Sequence, residues 1–443
     1  MPRLGVAIAQ NISWMLLYRV VKMGLAFFIT AWLARYLGAD GYGTYVYAIA
    51  IAELTMLFWS QGLKEVVIRE IKNAGDNAPD VVAAGFRLMI SGNLMLFTVL
   101  LLLTYTAFST TPELSLDNRL VIVVLCGGGI IFRAFEAFEL WFHAQLKVNI
   151  TVIVQFISQL LFMSAVVLLI LGEASVVWFG GTYALQLMLA GTGFYIVYKF
   201  RHKWINSGRD KTSKVNTDNA IAWSLLEKGK YMILSRLLLI ALLSVDRVVI
   251  EAVSGTESVG YYAAAMKMVA AWLFLGNSVG LSFIAPLTEA VGDKVKFRKL
   301  SNSMFGMLVW ISVPLALVFS IWPDELVTLV FGMGYESAAT AFLVLVWALP
   351  FLMLHEGVKV WLLARNRTTD YLIMLFSTLL LLTGLMLVLT GYYGLFGSAL
   401  AFVLSWVTAL HIILLGISKQ SREVVFYIIG AYIYPFRWLY RRF

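Results

Sequence analysis

The sequence has little of what soluble proteins carry in quantity. Only 13% of its 443 residues are charged and 61% are hydrophobic, whereas soluble domains have about 25% charged residues. It contains a single cysteine, Cys126, which excludes a disulfide scaffold and a cysteine-based metal site. It also lacks a Walker loop, an HExxH motif and a nucleophile elbow. We therefore expect neither an enzyme nor a protein that needs a cofactor.

Long apolar runs dominate what is present. A helix needs about 20 apolar residues to cross a bilayer, and the runs are continuously apolar, without the alternation of a membrane β-barrel. The sequence therefore predicts an all-α polytopic membrane protein with about twelve transmembrane helices. The predicted spans are 13–35, 43–63, 83–105, 119–143, 150–171, 175–198, 230–252, 258–286, 302–322, 338–363, 371–390 and 394–416.

The charges between the runs predict the orientation. The net charge of +9 comes from basic residues spread over the loops, and no basic soluble domain is present to bind nucleic acid. With a cytoplasmic N-terminus, the Lys and Arg residues fall in cytoplasmic loops. The opposite loops 106–118, 253–257 and 323–337 then carry acidic residues and no Lys or Arg. Both termini are therefore predicted to be cytoplasmic.

The domain organisation follows from one basic, polar segment at 199–220, which is the only long linker in the sequence. It separates a predicted N-terminal six-helix bundle at 1–198 from a C-terminal six-helix bundle at 221–416. The tail at 417–443 is apolar and aromatic but short, and it ends in arginines. We interpret it as an amphipathic helix that lies at the cytoplasmic membrane surface.

The two bundles carry an internal repeat. Residues 37–45 (LGADGYGTY) match residues 254–262 (SGTESVGYY) at a shift of 217, which also places Arg19 on Arg236. At the ends of spans four and ten, a shift of 220 places Glu136 on Glu356 and Trp141 on Trp361. Because the shift covers an even number of helices, the repeats run parallel. Transporters built this way bind substrate between their halves.

Several ionisable residues fall inside the predicted spans, where a charge costs about 2.5–3.5 kcal/mol on insertion scales. Arg19 and Lys22 share one face of span one, and Arg236 and Arg247 are close to three turns apart on span seven. A cavity lined by these cations suits an anion, and arginine suits phosphate. Pairing with carboxylates of neighbouring helices is the alternative. The predicted substrate-binding cations are Arg19, Lys22, Arg236, Arg247 and Lys267.

The remaining buried charges are predicted to pair or to couple transport to an ion. Arg133 and Glu136 are three residues apart, as are Glu356 and Lys359, so each couple can form a neutral pair on one helix. Glu53 or Asp246 could carry a coupling proton. His355 stands alone, and we interpret it as a packed polar residue with no metal-binding role.

A series of motifs resembles one known family along nearly the whole chain. ARYLGADGYG at 34–43 resembles the first loop of Wzx-type polysaccharide repeat-unit flippases of the MOP exporter superfamily. FELWFHAQ at 138–145 is similar to the aromatic segment that closes span four in this family. Further similarities lie in VDRVVI at 245–250, VGYYAAA at 259–265, LVFG at 329–332 and YGLFGSA at 393–399.

The resemblance implies a V-shaped MOP/MATE-like fold of two bundles with a central cavity. It implies the flipping of an undecaprenyl-pyrophosphate-linked oligosaccharide across the bacterial cytoplasmic (inner) membrane, from the cytoplasmic to the periplasmic leaflet. Such flippases use alternating access and an ion gradient, and they supply the biosynthesis of surface polysaccharides such as O-antigen and exopolysaccharide. The implied partners are this substrate, membrane lipids, and the polysaccharide polymerase and chain-length regulator proteins.

Three alternatives stay open. A MATE-type drug antiporter shares the superfamily, but such proteins usually carry carboxylates in their first helix, where this sequence has Arg19 and Lys22. Lipid II flippases resemble fourteen-span chains, and this sequence has twelve predicted spans. A structural scaffold of a polysaccharide assembly complex has no reason to tolerate costly buried charges.

Overall fold

A computed structural model describes residues 2–56, 60–110, 118–145, 147–205 and 218–433. These described ranges are almost entirely helical and contain no β-strand. Continuous apolar sequence explains the helices, because a helix satisfies all of its backbone hydrogen bonds internally where no water is available.

The first eight helices cover the N-terminal half of the described chain. They are α1 (Pro2–Met56), α2 (Ser60–Ala74), α3 (Ala78–Thr110), α4 (Asn118–Ile131), α5 (Glu136–Ala144), α6 (Val148–Leu171), α7 (Val176–Ile205) and α8 (Asp218–Leu242). A 3₁₀ turn at Phe132–Phe135 separates α4 from α5 inside predicted span four.

Nine further helices follow in the C-terminal half. They are α9 (Val245–Ala270), α10 (Leu273–Glu289), α11 (Lys294–Phe319), α12 (Pro323–Phe331), α13 (Glu336–Leu345), α14 (Ala348–Ala364), α15 (Thr368–Thr408), α16 (Leu414–Ile417) and α17 (Lys419–Ile433). A π-helical turn at Ala409–Ile413 joins α15 to α16.

The chain forms two compact units. The first contains Met1–Tyr36 and Tyr47–Ile240, and the second contains Leu37–Val46 and Ala241–Phe443. The division thus falls close to the break between α8 and α9, whereas the linker predicted from sequence lies at 199–220. Most of that linker, 206–217, lies outside the described residues, so the domain boundaries at 198 and 221 stay a prediction.

Five helices in the described ranges are long and apolar enough to cross a membrane, and a sixth candidate is the pair α13 and α14, bent by 44°. The five are Ala78–Thr106, Val121–Ala144, Asn149–Leu171, Lys294–Phe319 and Thr368–Ile417. The last one contains two predicted spans. The count of twelve spans therefore stays a prediction.

Predicted spans one and two, seven and eight, and eleven and twelve are each joined without an intervening loop. Each of α1, α9 and α15 consists of two helical segments that meet at a glycine with non-helical backbone angles, namely Gly38, Gly255 and Gly394. The repeat-related glycines Gly38 (φ 68°, ψ 177°) and Gly255 (φ 79°, ψ 173°) have nearly the same backbone conformation. Positive φ is costly for any other residue, which explains a glycine at this position in both repeats.

The two repeated turns meet within the second unit. A Cβ atom at Gly43 would overlap the carbonyl oxygen of Thr256, and one at Gly260 would overlap that of Ala39. Ala39 and Thr256 are themselves related by the shift of 217, so the contact has a local two-fold character. The Thr256 hydroxyl also donates to the Asp40 carboxylate. Only glycine permits so close an approach of one backbone to another.

The predicted outer loop 323–337 is partly helical. Helix α12 spans Pro323–Phe331, with Pro323, Asp324 and Glu325 in its first turn. Proline fits the first turn because it has no amide hydrogen to leave unbonded, and the two carboxylates favour the positive end of the helix dipole. The connection between the predicted spans nine and ten thus contains a short helix.

Helix α17 occupies part of the predicted tail. Its buried residues include Val424, Val425 and Ile428, and the helix packs against α11 and α14. The ring of Tyr427 is stacked on that of Phe305. One face of the tail helix is thus covered by protein, while its predicted position at the membrane surface stays a prediction.

Large apolar side chains also cover outward faces. Leu94, Met95, Leu102, Leu103 and Tyr105 on α3 are 48–69% exposed. So many exposed apolar residues on one helix are unusual in a soluble protein. A bilayer is the solvent in which this face is stable.

Candidate functional site

The candidate site is built on helix α9 of the second unit. This helix starts after Ser244, bends at Gly255 and ends at Ala270. Arg247 lies before the bend and Lys267 after it, and both side chains are partly buried. Their like charges act on one another. The bend therefore brings together two cations that are 20 residues apart in sequence.

Among the described residues, the Arg247 side chain hydrogen-bonds to one backbone carbonyl, just before the start of its helix. Its Nη1 donates to the carbonyl oxygen of Leu243 at 3.0 Å, and its Nε is buried without a hydrogen-bond partner. Among the described residues, no carboxylate lies within ion-pair distance of the guanidinium. A buried donor without a partner is costly, so the group has unused capacity to bind an anion.

Tyrosine side chains surround the same point. Tyr42 and Tyr262 are both fully buried or nearly so, at 3% and 0% exposure, and both lie in the electrostatic field of Arg247. The Tyr262 hydroxyl is buried and faces the Asp246 carboxylate. Neutral hydroxyl groups beside a guanidinium add hydrogen-bonding capacity without cancelling its charge.

Asp246 is an acidic residue next to this cluster. It is 1% exposed, and its Oδ1 accepts a hydrogen bond from the backbone amide of Arg247 at 2.8 Å. The carboxylate also lies beside Tyr262. Asp246 therefore caps the start of α9 from within the protein, and its predicted role in ion coupling stays a prediction.

Lys267 is the second cation of the cluster. It forms no ion pair within the described part of the chain. Two cations without a paired carboxylate repel each other, and this repulsion is relieved when an anion binds. A phosphate or pyrophosphate group has the charge and the oxygen geometry that Arg and Lys bind.

The single helix predicted to carry both Arg236 and Arg247 is interrupted between them, and a surface shared by the two residues stays a prediction. Helix α8 ends at Leu242 and α9 begins at Val245, so the helix is broken between the two arginines. Ser244 has φ −130°, and the Leu243 carbonyl bonds to the Arg247 side chain. Arg236 is exposed on α8 in the first unit, and its contact with substrate stays a prediction.

Arg19 and Lys22 lie on helix α1. Their side chains lie outside the described residues, so the structure does not place them in a site. Their predicted role in substrate binding stays a prediction.

A second group of charges lies in the first unit. The Glu136 carboxylate is 2.6 Å from Lys64 Nζ and 3.7 Å from Arg133 Nε. The Tyr183 hydroxyl donates to Glu53 at 3.4 Å, and both Tyr183 and Glu53 act electrostatically on Arg133. The buried Glu139 also acts electrostatically on Lys64, so each cation of the group has carboxylates nearby. The group resembles a structural network more than an empty binding site.

The second unit holds a matching pair at the equivalent position. Lys359 donates to Glu356 on the same helix, and Asn277 of α10 donates to the same carboxylate at 3.4 Å. His355 lies beside this pair, 3.1 Å from the Tyr371 hydroxyl and packed on the ring of Trp406. Among the described residues no cluster of His, Cys, Asp or Glu could hold a metal ion.

Sequence reasoning missed Lys64 as the partner of Glu136, since the two lie on different helices 72 residues apart. It also missed Tyr42, Tyr183 and Tyr262. A tyrosine in an apolar run carries no sequence signal that separates packing from function.

Comparison with known proteins places this geometry in a family. The profile of the family "Polysaccharide biosynthesis protein" matches residues 8–287, which is more than half of the chain. No curated protein sequence matches the chain significantly.

Solved structures show the same fold along almost the whole chain. An inward-facing multidrug resistance MATE transporter of the MOP superfamily aligns with a TM-score of 0.67 and 15% identity, over 95% of this chain and 96% of that one. The lipid II flippase MurJ in an inward closed conformation aligns with a TM-score of 0.67 and 13% identity, over 96% and 92%.

A MOP superfamily transporter from Pyrococcus furiosus aligns with a TM-score of 0.52 and 12% identity, over 99% of this chain and 95% of that one. These low identities establish the fold alone. Together with the exposed apolar helices and the family match, they identify the chain as a multi-pass membrane protein of the polysaccharide biosynthesis protein family with the fold of the MOP superfamily transporters.

Proposed function

We propose that this protein is a flippase for an undecaprenyl-pyrophosphate-linked oligosaccharide. It moves the lipid-linked repeat unit from the cytoplasmic to the periplasmic leaflet of the bacterial inner membrane, for the synthesis of a surface polysaccharide. Alternating access coupled to an ion gradient drives the movement. The family match and the transporter fold support a flippase role.

One observation supports this substrate most directly. Arg247 and Lys267 form a cationic cluster with no ion-paired carboxylate among the described residues, and the Arg247 Nε is buried without a partner. A pyrophosphate carries at least two negative charges, and its oxygens can accept the bidentate bonds of a guanidinium. A cationic drug would be repelled at the same point.

The free-energy cost of placing two cations without ion-pair partners in a membrane protein also argues for a bound anion. Charged side chains within membrane proteins that have no partner in the fold are candidates for a functional site. In the other charged groups described above, around Glu136 and Glu356, the cations have carboxylate partners. Arg247 and Lys267 form no ion pair with a carboxylate among the described residues, so their counterpart in this proposal is the ligand.

A MATE-type antiporter is the second candidate function, because a multidrug MATE transporter shares the fold and because Glu53 and Asp246 are carboxylates within helices. Asp246 is closed off by its own helix end and by Tyr262, and Glu53 accepts from Tyr183. Coupling through either carboxylate belongs equally to an ion-driven flippase, so these acids do not favour the drug antiporter.

Deletion of the gene in its host tests the proposal. Loss of surface polysaccharide, with accumulation of the completed lipid-linked unit in the inner membrane, is the expected result. Both effects should be reversed by the wild-type gene and by the Lys299→Gln variant, whose lysine is exposed at the start of α11. The Arg247→Gln/Lys267→Gln double variant should fail to reverse them at equal expression. Normal polysaccharide without accumulation, in a strain that has no second flippase gene, would reject the proposal.

A further inference from the structure

A cavity of about 580 Å³ lies in the first unit, where the ends of α5 and α7 meet the start of α6. Its lining includes Trp141, Phe142, Gln145, Lys147, Phe200 and Arg201. None of these residues belongs to the cationic cluster on α9, and the proposed flippase function does not use them.

One side of the cavity is aromatic. Phe142 is 1% exposed and Trp141 packs edge-on against Tyr198 with ring centroids 5.6 Å apart, so this wall is rigid. Phe200 is 72% exposed at the mouth. A rigid apolar wall with an exposed aromatic ring at its edge is typical of side chains at the membrane–water interface.

The other side carries positive charge. Lys147 and Arg201 are exposed, and among the described residues no Asp or Glu lines the cavity with them. Lys147 Nζ donates to the Gln145 side chain at 3.2 Å, which holds the ammonium group near the cavity. Lys147 is also the N-cap residue of α6, and no side chain caps that helix end. The positive end of the helix dipole therefore adds to the two cations.

The position of the cavity relative to the apolar helices points to an amphiphile. The candidate membrane span Asn149–Leu171 begins two residues after Lys147. The two cations thus stand at the level of the lipid headgroups, at the end that the charge pattern assigns to the cytoplasm. A soluble anion would gain nothing from the aromatic wall, and an uncharged lipid would gain nothing from the cations.

We propose that this cavity binds an anionic phospholipid of the cytoplasmic leaflet. Lys147 and Arg201 contact the headgroup phosphate, and an acyl chain lies along Trp141 and Phe200. Basic pockets between membrane helices on the cytoplasmic side bind such headgroups. The bound lipid bridges the ends of α5, α6 and α7 and thereby stabilises the first unit.

The test is lipid binding to the purified full-length protein in detergent. Native mass spectrometry gives the affinity for phosphatidylglycerol, and thermal unfolding gives the stabilisation. Each cation near an anionic headgroup contributes about fivefold in affinity, so Lys147→Gln/Arg201→Gln should weaken phosphatidylglycerol binding about thirtyfold. Lys199→Gln is the matched control, because Lys199 is exposed on the same end of α7 and does not line the cavity.

Further binding measurements distinguish a phospholipid headgroup from other ligands that contain phosphate. Phosphatidylcholine and inorganic pyrophosphate should each stabilise the wild-type protein much less than phosphatidylglycerol, and Phe200→Ser should weaken lipid binding while leaving both cations in place. Equal binding of phosphatidylglycerol by the wild type and the double variant would overturn the proposal. Equal stabilisation by pyrophosphate alone, or tighter binding of a polyprenyl pyrophosphate, would overturn the assignment to a phospholipid. If the double variant does not fold, two other variants test the proposal. The charge-preserving Lys147→Arg variant should retain phosphatidylglycerol binding, and the single Arg201→Gln variant should weaken it.

Discussion

The repeated glutamates of the two units, Glu136 and Glu356, occupy the same position of the repeat but are neutralised differently. Glu136 is shared by Lys64 of α2 and by Arg133, three residues earlier in the chain. Glu356 is held by Lys359, three residues later, and by the amide of Asn277 on α10. In each unit one partner comes from nearby in sequence and the other from a packed helix.

The difference shows what the fold requires at this position. A buried carboxylate is stable only when its charge is balanced and its oxygens accept hydrogen bonds. Either direction along the helix can supply the cation, since residues three before and three after both lie on the same face. The glutamate is therefore common to both repeats, while its partners are free to differ.

Replacement of each glutamate by glutamine tests this comparison. We expect the larger loss of stability for the glutamate in the first unit. Glu136→Gln removes the ion-pair partner of Lys64 and Arg133, and a broken buried pair costs about 3–5 kcal/mol. Lys64 is 27% exposed, so the cost falls to the low end of that range. Glu356→Gln leaves only Lys359 unpaired and should cost about half as much.

Thermal unfolding of the purified variants in detergent measures these costs. Glu227→Gln is the matched control, because Glu227 is exposed on α8 and should leave the unfolding temperature unchanged. Equal losses at Glu136 and Glu356 would show that the number of neighbouring cations does not matter.

The turn glycines Gly43 and Gly260 test a feature in which the two repeats are alike. Gly43→Ala and Gly260→Ala each force a Cβ into a carbonyl of the other turn. Such overpacking costs about 1–3 kcal/mol, and the two losses should be nearly equal because the contact is reciprocal. The measurement is the unfolding temperature, with Gly384→Ala as control since its Cβ would meet no atom within 4 Å. A large loss at only one of the two glycines would contradict the two-fold character of the contact.

Removal of a whole ion pair should cost less than removal of one partner. Glu356→Met/Lys359→Met eliminates both charges and retains apolar volume, and such replacements are often neutral or stabilising. We expect the double variant to be more stable than Glu356→Met alone by about 1–2 kcal/mol. A double-mutant cycle of unfolding temperatures measures this coupling, and additive losses would exclude a specific pair.

The smallest expected effect concerns His355, which has Phe135 at the equivalent place of the first repeat. Tyr371→Phe removes the hydroxyl 3.1 Å from His355 Nε2 and should cost about 1 kcal/mol. Thermal unfolding should show this loss of stability, and added Zn²⁺ should not change the size of the loss. Stabilisation of the wild type by Zn²⁺ that depends on Tyr371 would contradict the packed role of His355.

Much of the fold is predictable from the sequence, because apolar runs and the loop charges each have a direct physical cause. The repeated turn is an example, since a glycine at 38 and at 255 is what a positive φ requires. The couples Arg133–Glu136 and Glu356–Lys359 follow from the three-residue spacing, although Arg133 lies in the 3₁₀ turn just before α5.

Other features depend on tertiary structure. The break at Leu243 and Ser244 interrupts an apolar run without a glycine or proline, so no local signal marks it. The approach of Lys267 to Arg247 depends on the bend at Gly255 and cannot be read from spacing. The pair Lys64–Glu136 joins two helices that are distant in sequence.

The central claim is that the cationic cluster of Arg247 and Lys267 carries a pyrophosphate-linked lipid across the membrane. The most direct measurement reconstitutes the protein in liposomes that contain a fluorescent undecaprenyl-pyrophosphate-linked oligosaccharide and follows its exposure in the opposite leaflet. We expect the wild type and Lys299→Gln to accelerate this transfer over protein-free liposomes. Arg247→Gln/Lys267→Gln, reconstituted at equal amount, should transfer about tenfold more slowly or not at all. Transfer by the double variant at the wild-type rate would contradict the account.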